Sequence, residues 1–194
     1  MFIKDWKKEI LTIPNLLSLF RLLLIPVYVV IYVNANDSAG YYLSAAILAI
    51  SCLTDMIDGK IARHFDMVSA IGKVLDPLAD KATQFTMIIC LSIKHPILWC
   101  LIILFIIKEG FQLVAGSISL RQGKMLKGAL FSGKICTTVL FVSLILMVMF
   151  PDLTVEQTTI ITIIDLVFML ISFADYIITY AKKNHRFQYI DDAP

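Results

Sequence analysis

Six apolar stretches, each long enough to cross a lipid bilayer, dominate this chain of 194 residues. A helix needs about 20 predominantly apolar residues to span the hydrocarbon layer, and the stretches cover 14–33, 41–62, 74–93, 97–119, 130–150 and 158–180. Hydrophobic residues make up 59% of the chain and charged ones 16%, against about 45–50% and about 25% in soluble domains. The sequence therefore excludes a water-soluble globule and a disordered chain, and it predicts an all-α integral membrane bundle of six transmembrane helices.

The breaks between the stretches carry turn and charge signals, at 34–40, 64–72, 94–96, 121–127 and 151–152. Residues 1–12 alternate apolar side chains with lysines, which predicts a short amphipathic helix on the membrane surface. The expected organisation is this juxtamembrane helix at 1–12, one six-helix domain at 13–181 and a cytoplasmic tail at 182–194.

The distribution of basic residues predicts the orientation in the membrane, because cytoplasmic connections are enriched in Lys and Arg. One side of the predicted bundle carries Lys94, together with the acids Asp37, Asp152 and Glu156. The other side carries twelve basic residues: Lys4, Lys7, Lys8, Lys60, Arg63, Lys73, Arg121, Lys124, Lys127, Lys182, Lys183 and Arg186. We therefore expect both termini in the cytoplasm.

The remaining composition is not that of a nucleic-acid-binding or disulfide-stabilised protein. The net charge is +2, too small to favour nucleic acid as a partner. Cys52, Cys90, Cys100 and Cys136 are widely spaced, without a CxxC motif, and each lies in an apolar run. We interpret them as reduced packing residues.

Ionisable residues within a membrane span are costly and mark a functional site by default. This chain has many within or at the ends of its spans, among them Arg21, Asp55, Asp58, Asp76, Asp80, Lys81, Lys108, Glu109, Lys134, Asp165 and Asp175. Four of these residues, Asp55, Asp58, Asp76 and Asp80, flank the second connection. Asp55 and Asp58 are three residues apart, and Asp76 and Asp80 are four apart, so each pair projects from one side of its helix. We expect all four carboxylates to meet in the cytoplasmic third of the membrane.

A pocket with four carboxylates needs cations in a low dielectric. Oxygen ligands without His or Cys suit Mg²⁺ or Mn²⁺, and four carboxylates are enough for two ions, the arrangement that serves phosphoryl transfer. Gly59 and Gly72 leave room for a ligand to approach the backbone, and Arg63 is placed to neutralise a phosphate. Pro77, after Asp76, is compatible with a helix start or with a kink.

Asp165 and Asp175 have no converging groups nearby in sequence, and we interpret them as structural. An ion-coupled transporter would also carry intramembrane aspartates, but transporters tend to show repeated halves and charge near the midplane. This chain shows no repeat, and its four paired aspartates cluster toward one face.

The aspartates belong to a longer pattern that matches without a departure the signature of the CDP-alcohol phosphotransferases, integral-membrane enzymes of phospholipid synthesis. It reads Asp55-x2-Asp58-Gly59-x2-Ala62-Arg63-x8-Gly72-x3-Asp76-x3-Asp80. Two further segments resemble the bacterial phosphatidylglycerophosphate synthases and the mitochondrial-type cardiolipin synthases of this family: residues 13–21 (IPNLLSLFR) and 75–81 (LDPLADK).

The resemblance implies a six-helix, homodimeric enzyme with a cytoplasm-facing cavity. It transfers a phosphatidyl group from CDP-diacylglycerol to an alcohol and releases CMP. By resemblance Asp55, Asp58, Asp76 and Asp80 hold two Mg²⁺ or Mn²⁺ ions, and Asp80 is also the general base. Seven positions form the CDP site in that pattern: Asp55, Asp58, Gly59, Ala62, Arg63, Gly72 and Asp76.

The favoured acceptor is glycerol 3-phosphate, whose phosphate would be bound by Lys108, Arg121 and Lys134. Relatives that use glycerol phosphate have Arg-Glu where this chain has Lys108-Glu109, and a second Arg where it has Gly116. They also have a Gly-Lys-x-Lys-Thr segment where Cys136 here replaces the second Lys. Mitochondrial-type cardiolipin synthases lack that second Arg too, so phosphatidylglycerol is the alternative acceptor.

Overall fold

A computed structural model of the chain describes residues 13–64, 72–122, 124–126, 130–182 and 187–189. Within these ranges, side chains are described except at 13–14, 55–64, 73–74, 124–126 and 187–189. The predicted amphipathic helix at 1–12 lies outside the described residues.

Six helices occupy the six apolar stretches, as predicted. They are α1 (Ile13–Asn34), α2 (Ser38–His64), α3 (Gly72–Lys94), α4 (Leu98–Arg121), α5 (Phe131–Met149) and α6 (Val155–Ala181). Pro77 lies inside α3, five residues after its start, so the helix begins before this proline.

Four of these helices are long and apolar enough to cross a membrane within the described part of the chain: α1, α4, α5 and α6. The side chains described in α2 end at Thr54, so the apolar segment found in this helix is Ser38–Thr54, and α3 carries charges near both ends. The structure is therefore helical, and the length and composition of these four helices agree with a multi-pass membrane protein.

A short antiparallel ribbon departs from the all-helical prediction. Strand β1 (Lys124–Leu126) follows α4, and it pairs with β2 (Phe187–Tyr189) near the C-terminal end of the chain, with Met125 opposite Gln188. Three-residue strands carry too little alternation to be recognised in a sequence.

The helices belong to two compact units. The first contains the described residues up to Leu91 together with Leu144–Asp152. Its interior includes Tyr28 and Tyr32 of α1 and Leu48 of α2, and the Tyr32 ring lies edge-on against Tyr41 with centroids 5.5 Å apart.

The second unit contains Ser92–Ser143 and the described residues from Leu153 onward. The Phe111 ring of α4 contacts the rings of Phe173 and Tyr180 of α6, with centroids 5.4 and 6.1 Å apart. Helix α6 begins with a capping box in which Thr154 and Gln157 bond each other's backbone N–H groups.

Candidate active site

Helix α1 carries a buried polar face at its N-terminal end. Asn15, Ser18 and Arg21 are three residues apart, so they lie on one side of the helix, and all three are buried. They are the polar side chains among residues 13–27, in a segment that is otherwise apolar. An intramembrane guanidinium is tolerated when it is paired, so this face requires an acidic partner.

That partner is the aspartate pair at the start of α3. Asp76 and Asp80 are four residues apart and project from the same side of the helix. The Arg21 Nη1 atom donates a hydrogen bond to Asp80 Oδ1 at 2.5 Å, and Arg21 Nη2 lies 3.4 Å from Asp76 Oδ1. The Ser18 hydroxyl also donates to Asp76 Oδ1. The two carboxylates therefore project to the same side, as their spacing predicts, and both contact the Arg21 guanidinium.

The three charged groups differ in their exposure. The Arg21 side chain is 3% exposed, whereas those of Asp76 and Asp80 are 41% and 47% exposed. The guanidinium thus lies on the inner side of the cluster, and the carboxylates lie on its open side. Half-exposed carboxylates held in place by a buried cation can bind a second cation from the open side.

The other motif aspartates, Asp55 and Asp58, lie in the C-terminal part of α2, as do Gly59, Ala62 and Arg63. The side chains of these residues are outside the described set, so their contacts stay predictions. Among the side chains that are described, no three His, Cys, Asp or Glu groups come together as a metal site.

Gly72, another predicted CDP-site residue, is the first residue of α3 and is buried. A buried glycine at the start of a helix is compatible with the predicted close approach of a ligand to the backbone.

The residues predicted to bind the acceptor lie at two different depths. Lys108 is buried in α4, with its Nζ 2.8 Å from Glu109 Oε1. Arg121 ends the same helix and is exposed, and Lys134 is exposed in the first turns of α5. At 1.5 Å per residue, Lys108 lies about 20 Å along the axis from Arg121. These two are therefore separate candidates rather than parts of one phosphate-binding cluster.

The two aspartates of α6 have partners on α5. The Ser143 hydroxyl donates to Asp165 Oδ1 at 2.9 Å, and the Ser132 hydroxyl donates to Asp175 Oδ2 at 2.6 Å. Hydrogen bonds between helices are a common way to hold membrane bundles together. Both contacts agree with the structural role that the sequence predicts for these residues.

Arg21 is one of the charged residues within the predicted spans, but the motif assigns no role to Arg21 or Ser18. The available signal was the three-residue spacing of polar side chains on an apolar helix. That spacing identifies a buried face, but it does not identify the partner, which lies more than 50 positions away along the chain.

Comparison with known proteins places the chain in a family. The sequence profile of the CDP-alcohol phosphatidyltransferases matches residues 11–174. A CDP-diacylglycerol–glycerol-3-phosphate 3-phosphatidyltransferase of Aquifex aeolicus is 33% identical over 174 residues, which cover 86% of this chain and 94% of that protein.

Two further relatives carry different names. A probable phosphatidylglycerophosphate synthase of Mycobacterium tuberculosis is 31% identical over 145 residues, covering 74% of this chain and 68% of that protein. A CMP-forming cardiolipin synthase of Streptomyces coelicolor is 31% identical over 133 residues, which cover 66% of this chain and 61% of that protein.

The fold and the aspartate pair are those of a helical membrane enzyme with an acidic site. This chain belongs to the CDP-alcohol phosphatidyltransferase family, as the motif predicts. A phosphatidyl group carried by CDP is CDP-diacylglycerol, so the reaction is phosphatidyl transfer from that donor to an alcohol. The relatives include enzymes named for two acceptors, glycerol 3-phosphate and the acceptor of cardiolipin synthesis.

Proposed function

We propose that this protein is a metal-dependent enzyme that transfers the phosphatidyl group of CDP-diacylglycerol to glycerol 3-phosphate, forming phosphatidylglycerophosphate and releasing CMP. The observation that carries the proposal is the convergence of Asp76 and Asp80, two of the four motif aspartates, on the open side of a cluster held by Arg21.

The path of the chain supports a site that includes both helices of the motif. Seven residues, 65–71, connect α2 to α3 and reach at most about 25 Å. Helix α2 has 27 residues, so it is about 40 Å long. A connection shorter than the helix excludes a parallel side-by-side arrangement, so we expect α2 and α3 to run in opposite directions, with the end of α2 near the start of α3.

Ser51 of α2 and Thr83 of α3 line the same narrow crevice. We use this crevice as the common reference height for the two helices. Asp58 is seven residues beyond Ser51, and Asp76 is seven residues before Thr83, which is about 10 Å along each axis. Because the helices run in opposite directions, going from Ser51 to Asp58 and going from Thr83 back to Asp76 are displacements in the same direction. We therefore expect Asp58 at the level of Asp76.

The same counting places Asp55 near the level of Asp80. Asp55 is four residues beyond Ser51, and Asp80 is three residues before Thr83, so each lies about 5–6 Å from the crevice level. The four carboxylates would then form two tiers, which is the donor set that two hard divalent cations need.

The chemistry of this donor set fits Mg²⁺ or Mn²⁺. The described half of the set, Asp76 and Asp80, offers half-exposed carboxylate oxygens on one helix face, and oxygen ligands are those that these ions prefer. Asp55, Asp58, Asp76 and Asp80 would hold the ions. When bound, the ions would offset the charge of the diphosphate and of the departing CMP.

Asp80 would act as the general base of the transfer. The acceptor hydroxyl oxygen bonds to the β-phosphorus of CDP-diacylglycerol, the bond from that phosphorus to the CMP oxygen breaks, and the hydroxyl proton passes to the Asp80 carboxylate. A positioned base of this kind contributes about 10²–10⁴-fold to the rate. The exposure of the Asp80 carboxylate allows it to reach the hydroxyl.

The CDP moiety would lie along the end of α2 and the start of α3. The resemblance assigns Gly59, Ala62, Arg63 and Gly72 to this site, together with the aspartates.

The enzyme would cross the membrane with all six helices and with both termini in the cytoplasm. In the turn between α3 and α4, burial and the adjacent Lys94 charge lower the pKa of His95. His95 is then neutral at pH 7 and adds no charge to the side that carries one basic residue, so the charge asymmetry behind the orientation is retained. The active site would face the cytoplasm, and the family resemblance favours a homodimer.

The acceptor assignment depends on exposed basic residues. Lys134 and Arg121 lie close to the two ends of the connection between α4 and α5. Their exposure makes them available to a soluble phosphate. Lys108, paired with Glu109, would then contribute from greater depth.

Cardiolipin synthesis, with phosphatidylglycerol as the acceptor, is the second candidate. Gly116 stands where glycerol-phosphate users have an Arg, and a Cβ atom built there would lie 3.6 Å from the Tyr180 hydroxyl. This position thus offers no positive charge for a second phosphate.

Lys134→Ala tests the acceptor. With CDP-diacylglycerol and glycerol 3-phosphate, we expect the acceptor KM to rise at least tenfold while the donor KM changes less than twofold, because the lost charge is proposed to bind only the acceptor. Lys182→Ala removes an equally exposed charge at the end of α6 and should leave both constants unchanged. Equal effects on the two KM values, or no turnover of glycerol 3-phosphate by the wild type, would reject this acceptor.

A further inference from the structure

The Arg21 guanidinium bridges two carboxylates that belong to another helix. Its Nη1 atom contacts Asp80 Oδ1 at 2.5 Å, and Nη2 lies 3.4 Å from Asp76 Oδ1, so the two arms of the fork reach two different carboxylates. The Ser18 hydroxyl, one turn earlier on α1, donates to the same Asp76 oxygen. Helix α1 therefore holds both aspartates through their Oδ1 atoms.

The burial of these groups shows from which side they are held. Arg21 is almost fully buried, whereas both carboxylates are close to half exposed. Arg21 also lines the narrow crevice with Tyr28 and Thr83. The contact thus reaches the aspartates from the interior and leaves their open side toward the region where a ligand would arrive.

The type of cation matters for this geometry. Two carboxylates one turn apart on a helix repel each other, and a planar guanidinium satisfies both in a fixed arrangement. A lysine ammonium supplies the same charge as a compact point without the fork. Replacing Arg21 by Lys therefore removes the shared orientation of the carboxylates while it keeps the net charge.

We propose that Arg21 is a positioning residue that, assisted by Ser18, fixes the orientation in which Asp76 and Asp80 together bind a divalent cation. The inference rests on the proposed metal-dependent function and goes beyond it, because the motif does not include Arg21 or Ser18. Partners that orient metal-binding side chains typically change metal affinity by about 10–100-fold when they are removed.

The test is Mn²⁺ binding to the purified full-length protein, measured from the loss of the free-ion EPR signal, which needs no turnover. We expect Arg21→Lys to weaken Mn²⁺ binding by about 10–100-fold, with thermal unfolding in EDTA close to that of the wild type. Ser18→Ala changes no charge and should weaken binding about three- to tenfold, within the lower part of that range. It provides the test if Arg21→Lys does not fold.

Ser44→Ala is the matched control for Ser18→Ala. Ser44 is equally buried, but its hydroxyl bonds the Gly40 carbonyl of its own helix at 3.0 Å, so Mn²⁺ binding should not change. Wild-type binding with equal affinity in Arg21→Lys and Ser18→Ala would overturn the positioning role. A higher KM for CDP-diacylglycerol with unchanged Mn²⁺ affinity would also overturn it.

A wild type that binds no Mn²⁺ would instead reject the proposed metal dependence, and the positioning role with it. The two failures are distinguishable. Failure of the positioning role alone appears as equal Mn²⁺ binding by the wild type and the variants, whereas failure of the metal dependence appears as no Mn²⁺ binding by any of them.

Discussion

Asp80 and Asp175 are both aspartates on apolar helices, yet their surroundings differ. Asp80 lies in a group of converging charges with Arg21 and Asp76, whereas Asp175 accepts a hydrogen bond from the Ser132 hydroxyl of the neighbouring helix. The first arrangement concentrates charge at a half-exposed position, and the second joins two helices. The pair therefore allows a matched comparison of a proposed catalytic carboxylate with a structural one.

Asp80→Asn keeps the shape of the side chain and removes the base and its charge. We expect CMP release to fall at least 10²-fold, within the range for loss of a general base, while the protein remains folded in detergent. Asp175→Asn should retain activity within about threefold, because an amide can still accept from Ser132. The measurement is the initial rate of CMP release for both variants. Near-wild-type turnover by Asp80→Asn would refute its role as the base.

At the residue scale, the sequence contains the chemistry but not all of its partners. The spacing of Asp76 and Asp80 predicts that they project together, and the structure confirms it. The contact with Arg21 could not be predicted, because it joins positions 55 and 59 residues apart. Helical spacing shows which residues share a face, whereas the opposing residue depends on how the helices pack.

At the scale of the helices, burial follows polarity in the way expected of a membrane bundle. The buried face of α6 is mostly polar and repeats every three or four residues, at Thr158, Thr162, Asp165, Met169, Ser172, Tyr176 and Thr179. The exposed face carries aliphatic residues such as Ile163 and Leu170. Lipid is as apolar as these side chains, so polar contacts and close packing hold the helices together.

Close packing is visible where α5 meets α6. A Cβ atom added at Gly133 would lie 2.9 Å from the Tyr176 hydroxyl and 3.1 Å from ring atom Cε2. The Tyr176 ring is buried and lies against Tyr180, with centroids 6.5 Å apart, which limits its room to move. Gly110 of α4, in contrast, has nothing within 4 Å of such an atom.

This contrast predicts opposite effects of two Gly→Ala substitutions. Gly133→Ala should lower the free energy of unfolding by about 1–3 kcal/mol, the usual cost of overpacking. Gly110→Ala should leave it unchanged or raise it by up to about 1 kcal/mol, since alanine favours the helix. Thermal unfolding in one detergent measures both. If Gly133→Ala were as stable as Gly110→Ala, the close α5–α6 contact would be wrong.

The sequence predicts the existence of all six helices but not their ends. The predicted sixth span begins at residue 158, whereas the capping box at Thr154 and Gln157 starts α6 at Val155. Hydropathy marks only the lipid-facing length, while hydrogen bonds at the first turn decide where a helix begins. The β1–β2 ribbon also could not be predicted, because it pairs segments about 60 residues apart.

At the scale of the whole molecule, the helices with lower hydropathy are those that carry the motif. Helices α1, α4, α5 and α6 are on average more apolar than α2 and α3. Helix α2 ends, and α3 begins, in segments that contain the motif aspartates. Charge within a span is costly, so its concentration on two adjacent helices at the same connection indicates function rather than packing.

Function at this scale was predictable because the motif is long and its spacing is fixed by chemistry, and the family assignment confirms it. The identity of the acceptor could not be predicted in this way, because it depends on single basic residues such as Lys108, Arg121 and Lys134. The structure places these residues at different depths. Positive charge on the cytoplasmic side is also expected from topology alone, so charge by itself does not identify a phosphate site.

The most direct measurement is CMP release by the purified protein in detergent, with CDP-diacylglycerol, Mg²⁺ and one acceptor at a time. The acceptors would be glycerol 3-phosphate, phosphatidylglycerol, inositol phosphate and serine, with the lipid product identified by mass. We predict CMP and phosphatidylglycerophosphate with glycerol 3-phosphate, with activity lost in EDTA and restored by Mg²⁺. Turnover with phosphatidylglycerol alone would move the assignment to cardiolipin synthesis. Full activity in EDTA, or no CMP release from the folded protein with any acceptor, would contradict the proposed metal-dependent transfer.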